Sequence, residues 1–233
     1  MPIWTWETWV WQQGGCVISE DRTSTCLRGA ESMNALNLLA SLYARGYASR
    51  NEDYTAAEQT FLEGQAAVLL NGTWVVDSYL AQARKEGPGL KEYTAMTVPR
   101  LFHRPDVWAD GHVWIIPRSP ARDSRKAEAA LSFLRFLYEH SGAWARTGHL
   151  PVRLSVLDSE AFLSLPLRAG YVASARYARS FPQIENHRAI QFALGQELNA
   201  TWLLPRPPAQ SLEEADYQVM KILRRNLEKQ SAQ

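Results

Sequence analysis

The stretch Leu62-Glu63-Gly64-Gln65-Ala66-Ala67-Val68-Leu69-Leu70-Asn71-Gly72-Thr73-Trp74 constrains this chain more than any other. Gly64 is a helix stop. The apolar run 66–70 reads as a strand buried on both faces of a covered sheet, and Gly72 as a tight turn that launches a second helix. A Trp in the first turn of that helix sets a flat apolar face beside backbone N–H groups that lack intrahelical partners. Donors next to a ring face suit sugars, whose hydroxyl edges need hydrogen bonds and whose C–H faces need apolar contact. The same residues also fit a helix–strand–helix corner in which Trp74 fills a core gap.

The charge balance argues against nucleic acid as a partner. Lys and Arg total 25 against 24 Asp and Glu, a formal net charge of +1, with no basic stripe to neutralise phosphates. A hydrophobic share of 46% in 233 residues supplies ample core for a globular chain. Trp is the unusual residue: there are nine, four of them among the first eleven positions, and Trp is a platform for flat, partly apolar ligands. No uninterrupted apolar run reaches the length of a membrane span, and Met1-Pro2-Ile3-Trp4 lacks the basic start and apolar middle of an export signal. Cys16 and Cys26 flank a short polar loop and are either a hairpin disulfide or two free thiols. No CxxC, HExxH or clustered Cys/His spacing points to a metal, and no cofactor is expected.

Taken in order, residues 3–12 read as a helix with Trp4 and Trp11 on one face and Trp6 and Trp9 on another, stopped at Gly14-Gly15. Short strands are expected at Cys16-Val17-Ile18 and Thr25-Cys26-Leu27. A helix spans 30–45 with Met33, Leu36, Leu39, Ala40 and Tyr43 on one face. The next opens on the capping-box pattern Thr55-Ala56-Ala57-Glu58. Val75, Val76, Tyr79, Leu80 and Ala83 continue the helix after Trp74. Strands are expected at 93–98 and 112–116, with Trp108 in the loop between them. Asp123 or Ser124 caps a helix to about 138 that turns Ala127, Ala130, Leu131, Leu134 and Leu137 inward. One further helical turn holds Trp144. Helices at 159–164, 167–179, 185–200 and 212–229 complete the chain, the last opened by Ser211-Leu212-Glu213-Glu214 as a second capping box. The pattern is α/β and helix-rich.

The order of the pieces is more specific than any one of them. It runs from the aromatic helix and Gly14-Gly15 through Phe61-Leu62-Glu63-Gly64-Gln65-Ala66-Ala67, Asn71-Gly72-Thr73-Trp74 and Thr97-Val98-Pro99. It continues through a Gly111-containing strand, Ala129-Ala130-Leu131-Ser132-Phe133-Leu134-Arg135-Phe136-Leu137 and Gly148-His149-Leu150-Pro151-Val152. This series resembles the family 1 extracellular solute-binding proteins of ABC importers, the maltose-binding-protein-like group.

The resemblance implies a type II periplasmic-binding-protein-like fold, two α/β lobes closing on a solute. It assigns 1–116 and 151–233 to the C-terminal lobe, and 117–150 to the hinge crossing and a helical segment of an incomplete N-terminal lobe. Only the later part of the family is covered, so the chain is expected to be an N-terminally truncated fragment with the apolar faces of 117–150 exposed. The family captures a sugar or oligosaccharide and delivers it to ABC permease membrane subunits, in an extracellular or periplasmic location. By the same likeness Trp74 sits at the position of a sugar-stacking aromatic, with Asn71 and Gly72 beside it. Trp4, or Trp6 in a shifted register, takes the place of a second ring. Trp108, Gly111 and His112 lie near the strand that crosses between lobes, and Phe192 is a further candidate.

Two other classes compete. A carbohydrate-active enzyme needs two carboxylates flanking a scissile bond, and Glu7, Asp53, Glu58 and Asp110 lie near aromatic regions without a pairing spacing. His112 and His149 lack a Ser or Cys nucleophile context. A non-binding helical interaction domain would use the Trp residues as core alone.

Overall fold

Amphipathic periodicity decides most of the backbone. The computed structural model describes residues 2–118, 123–204 and 206–231. Its helices are α1 Pro2–Gln12, α2 Ala30–Ala44, α3 Tyr54–Leu62, a 3-10 turn Thr73–Val75 running into α4 Val76–Ala83, α5 Ser124–Glu139 and α6 Ser141–Ala145. The short α7 Leu154–Leu157, α8 Glu160–Leu163, α9 Arg168–Tyr171 and α10 Ser174–Tyr177 follow, then α11 His187–Leu203 and α12 Pro208–Ser231. The strands are β1 Val107–Trp108 and β2 Ala178–Arg179. Among the described residues no helix is long and apolar enough to cross a membrane.

Contacts divide the chain into two compact units. The first comprises Met1–Ala56, Pro99–Ala109 and Tyr177–Gln233, the second Ala57–Val98 and Asp110–Arg176. These boundaries differ from the 116/117 and 150/151 borders expected from sequence.

In the first unit, α1, α2, α11 and α12 enclose one core. Trp6, Trp9, Val10 and Trp11 of α1 meet Ala35, Leu36 and Leu39 of α2. Ile190, Leu194 and Leu198 at every fourth position of α11 face Leu212, Ala215, Val219 and Leu223 of α12. Asn226 locks the pair: its amide donates to the Glu185 carbonyl (2.7 Å) and its oxygen accepts from Asn186 Nδ2 (2.7 Å). The rings of Tyr43 and Trp202 stack at 4.7 Å. β1 and β2 pair in parallel, Val107 opposite Ala178 and Trp108 opposite Arg179. The two strands expected near the N-terminus shrink to a single antiparallel bridge, Ile18 to Thr25, closed by a Cys16–Cys26 disulfide with the Cα atoms 5.5 Å apart.

The second unit has two small cores. Phe61, Val75, Tyr79 and Leu90 form one, with the Phe61, Tyr79 and Tyr93 rings 5.8–6.3 Å apart. Ala145, Leu157 and Phe162 form the other. The strands expected at 66–70, 93–98 and 112–116 are absent. A strand needs a neighbour for its backbone groups, and among the described residues no strand pairs with these runs. Val68 is 77% exposed, and Val113, Trp114 and Ile115 are each at least 71% exposed. Segment 93–98 is held instead against α9, where Thr97 N–H donates to the Gly170 carbonyl (3.2 Å). The inward face expected of α5 is likewise overturned, since the helix has no buried residue. Its N-cap is Asp123, whose side chain accepts from Arg125 N–H (2.9 Å).

Both capping boxes are corrected. Asp53 Oδ1 accepts from Ala56 N–H (2.9 Å), so Asp53 caps α3 and Thr55 lies inside it. The last helix begins one turn earlier than expected, at Pro208, which suits a first helical position, and Ser211 is buried within it. The helix expected over 167–179 breaks into α9 and α10, with Leu167 at φ 65° starting the first.

Candidate ligand-binding site

The turn before Trp74 is built by side chains that reach inward. Asn71 Oδ1 accepts from Gly72 N–H (2.8 Å), and Asn71 Nδ2 donates to the Tyr79 hydroxyl (3.0 Å). Tyr79 in turn donates to Glu58 Oε1 (2.6 Å). Glu58 therefore anchors this chain of bonds and not a capping box. Asn71 spends both polar ends holding the turn, and the Gly72 N–H expected to await a ligand is already occupied. Gly72 has φ −81°, a value open to any residue. Glycine is needed for another reason: a Cβ there would lie 1.8 Å from Trp74 Cζ3, because the indole folds back over it. The Trp74 ring is 43% exposed and presents a face to solvent.

Beneath this turn lies a buried cation. Arg168 is 1% exposed and clamps Asp77 through Nη1 (3.1 Å) and Nη2 (2.6 Å), with further bonds from the same nitrogens to the Pro166 and Ala145 carbonyls. Asp77 is thus the counter-ion that allows Arg168 into the interior.

Gly148 fastens a second segment to the same turn. It has φ +94°, and a Cβ on it would meet the Thr73 carbonyl oxygen at 2.3 Å. Only glycine allows that approach. The Tyr171 hydroxyl donates to the Gly148 carbonyl (2.7 Å) and secures the other side. His149 follows, its ring 4.6 Å from that of Trp144 and 6.2 Å from that of His112. Burial, then the neighbouring His112, lower the His149 pKa. His112 itself is exposed, as is Gly111, whose N–H is taken by Asp110 Oδ1 (2.8 Å).

The first unit carries its own ring pair. Trp4 and Trp108 stack at 4.3 Å with planes 12° apart, both half-buried. Trp108 is positioned by its backbone N–H, which donates to Thr8 Oγ1 (3.0 Å). Gln12 braces the adjoining loop through the Pro99 and Asp106 carbonyls and the Leu101 N–H. Trp6 leaves the set of candidates: it is wholly buried, and its indole N–H donates to the Ser32 carbonyl (3.0 Å). Its place on α1 turns it into the core. Phe192 is 66% exposed on α11. Glu7, one residue beyond Trp6, is also wholly buried, with neither carboxylate oxygen paired, and burial pushes its pKa up to about 8.

The four carboxylates that an enzyme reading would use are each engaged locally or enclosed. Asp53 caps α3, Glu58 accepts a hydrogen bond from the Tyr79 hydroxyl, Asp110 holds Gly111, and Glu7 is sealed in core.

Residues 2–170 match the family model described as bacterial extracellular solute-binding protein. The chain belongs to that family. Its fold is shared with the cyclic alpha-maltosyl-1,6-maltose binding protein of Arthrobacter globiformis (TM-score 0.72, 22% identity, 95% of this chain and 55% of that one). It is shared too with the sugar-binding protein MalE of Xanthomonas citri (TM-score 0.75, 17% identity, 100% and 60%). A third example is a Thermotoga lettingae ABC transporter solute-binding protein bound with alpha-D-tagatose (TM-score 0.72, 16% identity, 95% and 56%). These likenesses establish the type II periplasmic-binding fold, and the chain spans somewhat more than half the length of the structures it matches. No curated protein matches the chain by sequence. The family and these solved structures are binding proteins by description.

Sequence reasoning passed over two features of this solute-binding chain. Trp144 was visible only as a helical residue, and His149 as part of a family motif and a histidine without a nucleophile beside it, not as ring neighbours 4.6 Å apart. Arg168 carried no sign of burial, since its partner Asp77 stands 91 positions away.

Proposed function

We propose that this solute-binding chain captures a sugar or oligosaccharide outside the membrane and passes it to the membrane subunits of an ABC importer, acting as part of a two-lobed receptor. Helix α5 belongs to the second lobe in this reading, and its bare apolar face supports it, whereas Gly148 and His149 stay with the Trp74 turn. Trp74 carries the proposal: its indole is held over Gly72, on a turn braced by Asn71, with a face open to solvent. Stacking supplies the affinity and not charge, in keeping with the chain's net +1. Within the first unit, the stacked Trp4 and Trp108 rings are a separate surface of the kind a sugar contacts.

Titration calorimetry with maltotriose tests this. Trp74→Ala is expected to weaken binding by about 1–3 kcal/mol, the usual scale for truncating an aromatic anchor. Unchanged affinity removes Trp74 from the site.

A further inference from the structure

Asn71 is the only asparagine in the chain that precedes a glycine. Such a step is open to an internal reaction, in which the glycine's amide nitrogen attacks the side-chain carbonyl carbon. Glycine favours it because no Cβ blocks the approach. The fold decides whether the two groups meet. Here the Gly72 N–H donates to Asn71 Oδ1 (2.8 Å), so nucleophile and carbonyl are already in contact within one local turn. Both residues are only partly buried, within reach of water and hydroxide.

A second contact opposes the reaction. Asn71 Nδ2 donates to the Tyr79 hydroxyl (3.0 Å), which in turn donates to Glu58 Oε1 (2.6 Å). Tyr79 is 5% exposed, packed with Phe61, Val75 and Leu90, and is a fixed post for the amide. A donor to a carbonyl oxygen lies near the amide plane, whereas attack comes over its face. The Asn71 side chain must therefore rotate, and let go of Tyr79, before it reacts.

We propose that Asn71–Gly72 is a self-modification site in the Trp74 turn, with Tyr79 as the brake on its rate. Hydroxide takes the Gly72 amide proton, and the nitrogen forms a bond to Asn71 Cγ. Nδ2 takes a proton from water and leaves as ammonia, which closes a five-membered imide. Water then opens the imide at either carbonyl. Opening at Cγ leaves aspartate. Opening at the main-chain carbon leaves isoaspartate, whose backbone runs through Cγ and is one carbon longer. Either product replaces the amide donor to Tyr79 by a carboxylate oxygen, beside a Glu58 that already holds the hydroxyl's one proton. The anchor of the turn is lost, and Trp74, whose indole folds over Gly72, is freed from its pose. Loss of solute capture in the converted chain rests on the Trp74 reading.

Peptide mapping by mass spectrometry, on the full chain held at pH 6 and at pH 9, tests the site. Conversion at Asn71 is expected to outrun that at the exposed Asn34 and Asn51 and to rise with pH. In Tyr79→Phe it runs about fivefold faster, the factor that one net hydrogen bond represents. Asn71→Gln stays unconverted, because its longer side chain closes a six-membered ring far more slowly. As the wild-type chain converts, the Trp74 indole resonance moves and maltotriose affinity falls in step. Conversion at Asn71 no faster than at Asn34 and Asn51, or no faster at pH 9 than at pH 6, overturns the site. An unchanged rate in Tyr79→Phe overturns the brake. A converted chain that binds maltotriose as before overturns the link to capture, whereas fresh chain that binds no sugar defeats the Trp74 reading alone.

Discussion

Glu7→Gln is expected to stabilise the first unit at neutral pH by about 3 kcal/mol and to have almost no effect near pH 4.5. The carboxyl is wholly buried and neither oxygen has a partner, so burial alone pushes its pKa from 4.5 to about 8. Below pH 4.5 folded and unfolded chains both hold the proton, and the group is neutral in the balance. Between 4.5 and about 8 the unfolded chain ionises Glu7 and the folded chain does not. Stability therefore falls as pH rises, by about 1.4 kcal/mol per pH unit, and levels off above the folded value. Glutamine keeps the shape of the neutral acid and does not titrate. Urea unfolding at pH 5 and pH 8, followed by amide exchange in α1, α2 and α11, measures the effect. A stability difference that is the same at both pH values defeats the account.

Asp77→Ala is expected to destabilise the second unit by about 3 kcal/mol or more, because it leaves Arg168 buried without its counter-ion. The reverse truncation, Arg168→Met, is expected to cost less. Asp77 is 37% exposed and regains water when the guanidinium is gone, whereas Arg168 at 1% cannot reach it. The two variants are thus unequal although they break the same bond. Amide exchange in α4, α6 and α9, with α1 and α11 as internal references, separates this from a global loss. Equal losses, or a larger one for Arg168→Met, would show that the ion pair is not what admits the arginine.

Most of the helices were legible in the sequence because their signal is local. Leu36 and Leu39 in α2, or Ile190, Leu194 and Leu198 in α11, declare a buried face within a few turns. The Gly72–Trp74 turn was legible for the same reason. The strands were not: an apolar run such as 66–70 has the composition of a covered strand, but pairing is decided by what the chain places alongside. Here Ala66 and Leu69 pack on the Phe61 cluster, but no strand among the described residues pairs with the run. Capping was misjudged by one turn at α12, since Ser211 is a good cap by type but Pro208 already fits the first helical position.

Among the candidate residues the division is similar. Trp4 and Trp108 were singled out separately; their stack, 104 positions apart in the chain, was not foreseen. Trp6 carried the same residue type and neighbourhood as Trp4, and only the packing of α2 against α1 puts one in the core and leaves the other half-open. Nothing around Glu7 distinguishes a solvated acid from an entombed one.

By itself, then, the sequence determined the helix-rich backbone, the glycine turn that carries Trp74 and the family to which the chain belongs. The first two follow from propensities and spacings within a dozen residues, which act wherever the segment lies, and the family from the order of such pieces along the chain. Tertiary structure alone decided which indoles are covered, that Arg168 lies beneath the Trp74 turn, and that Gly148 joins His149 to it. Such facts depend on segments far apart in the chain excluding water from one another, and no local pattern records which of them will meet.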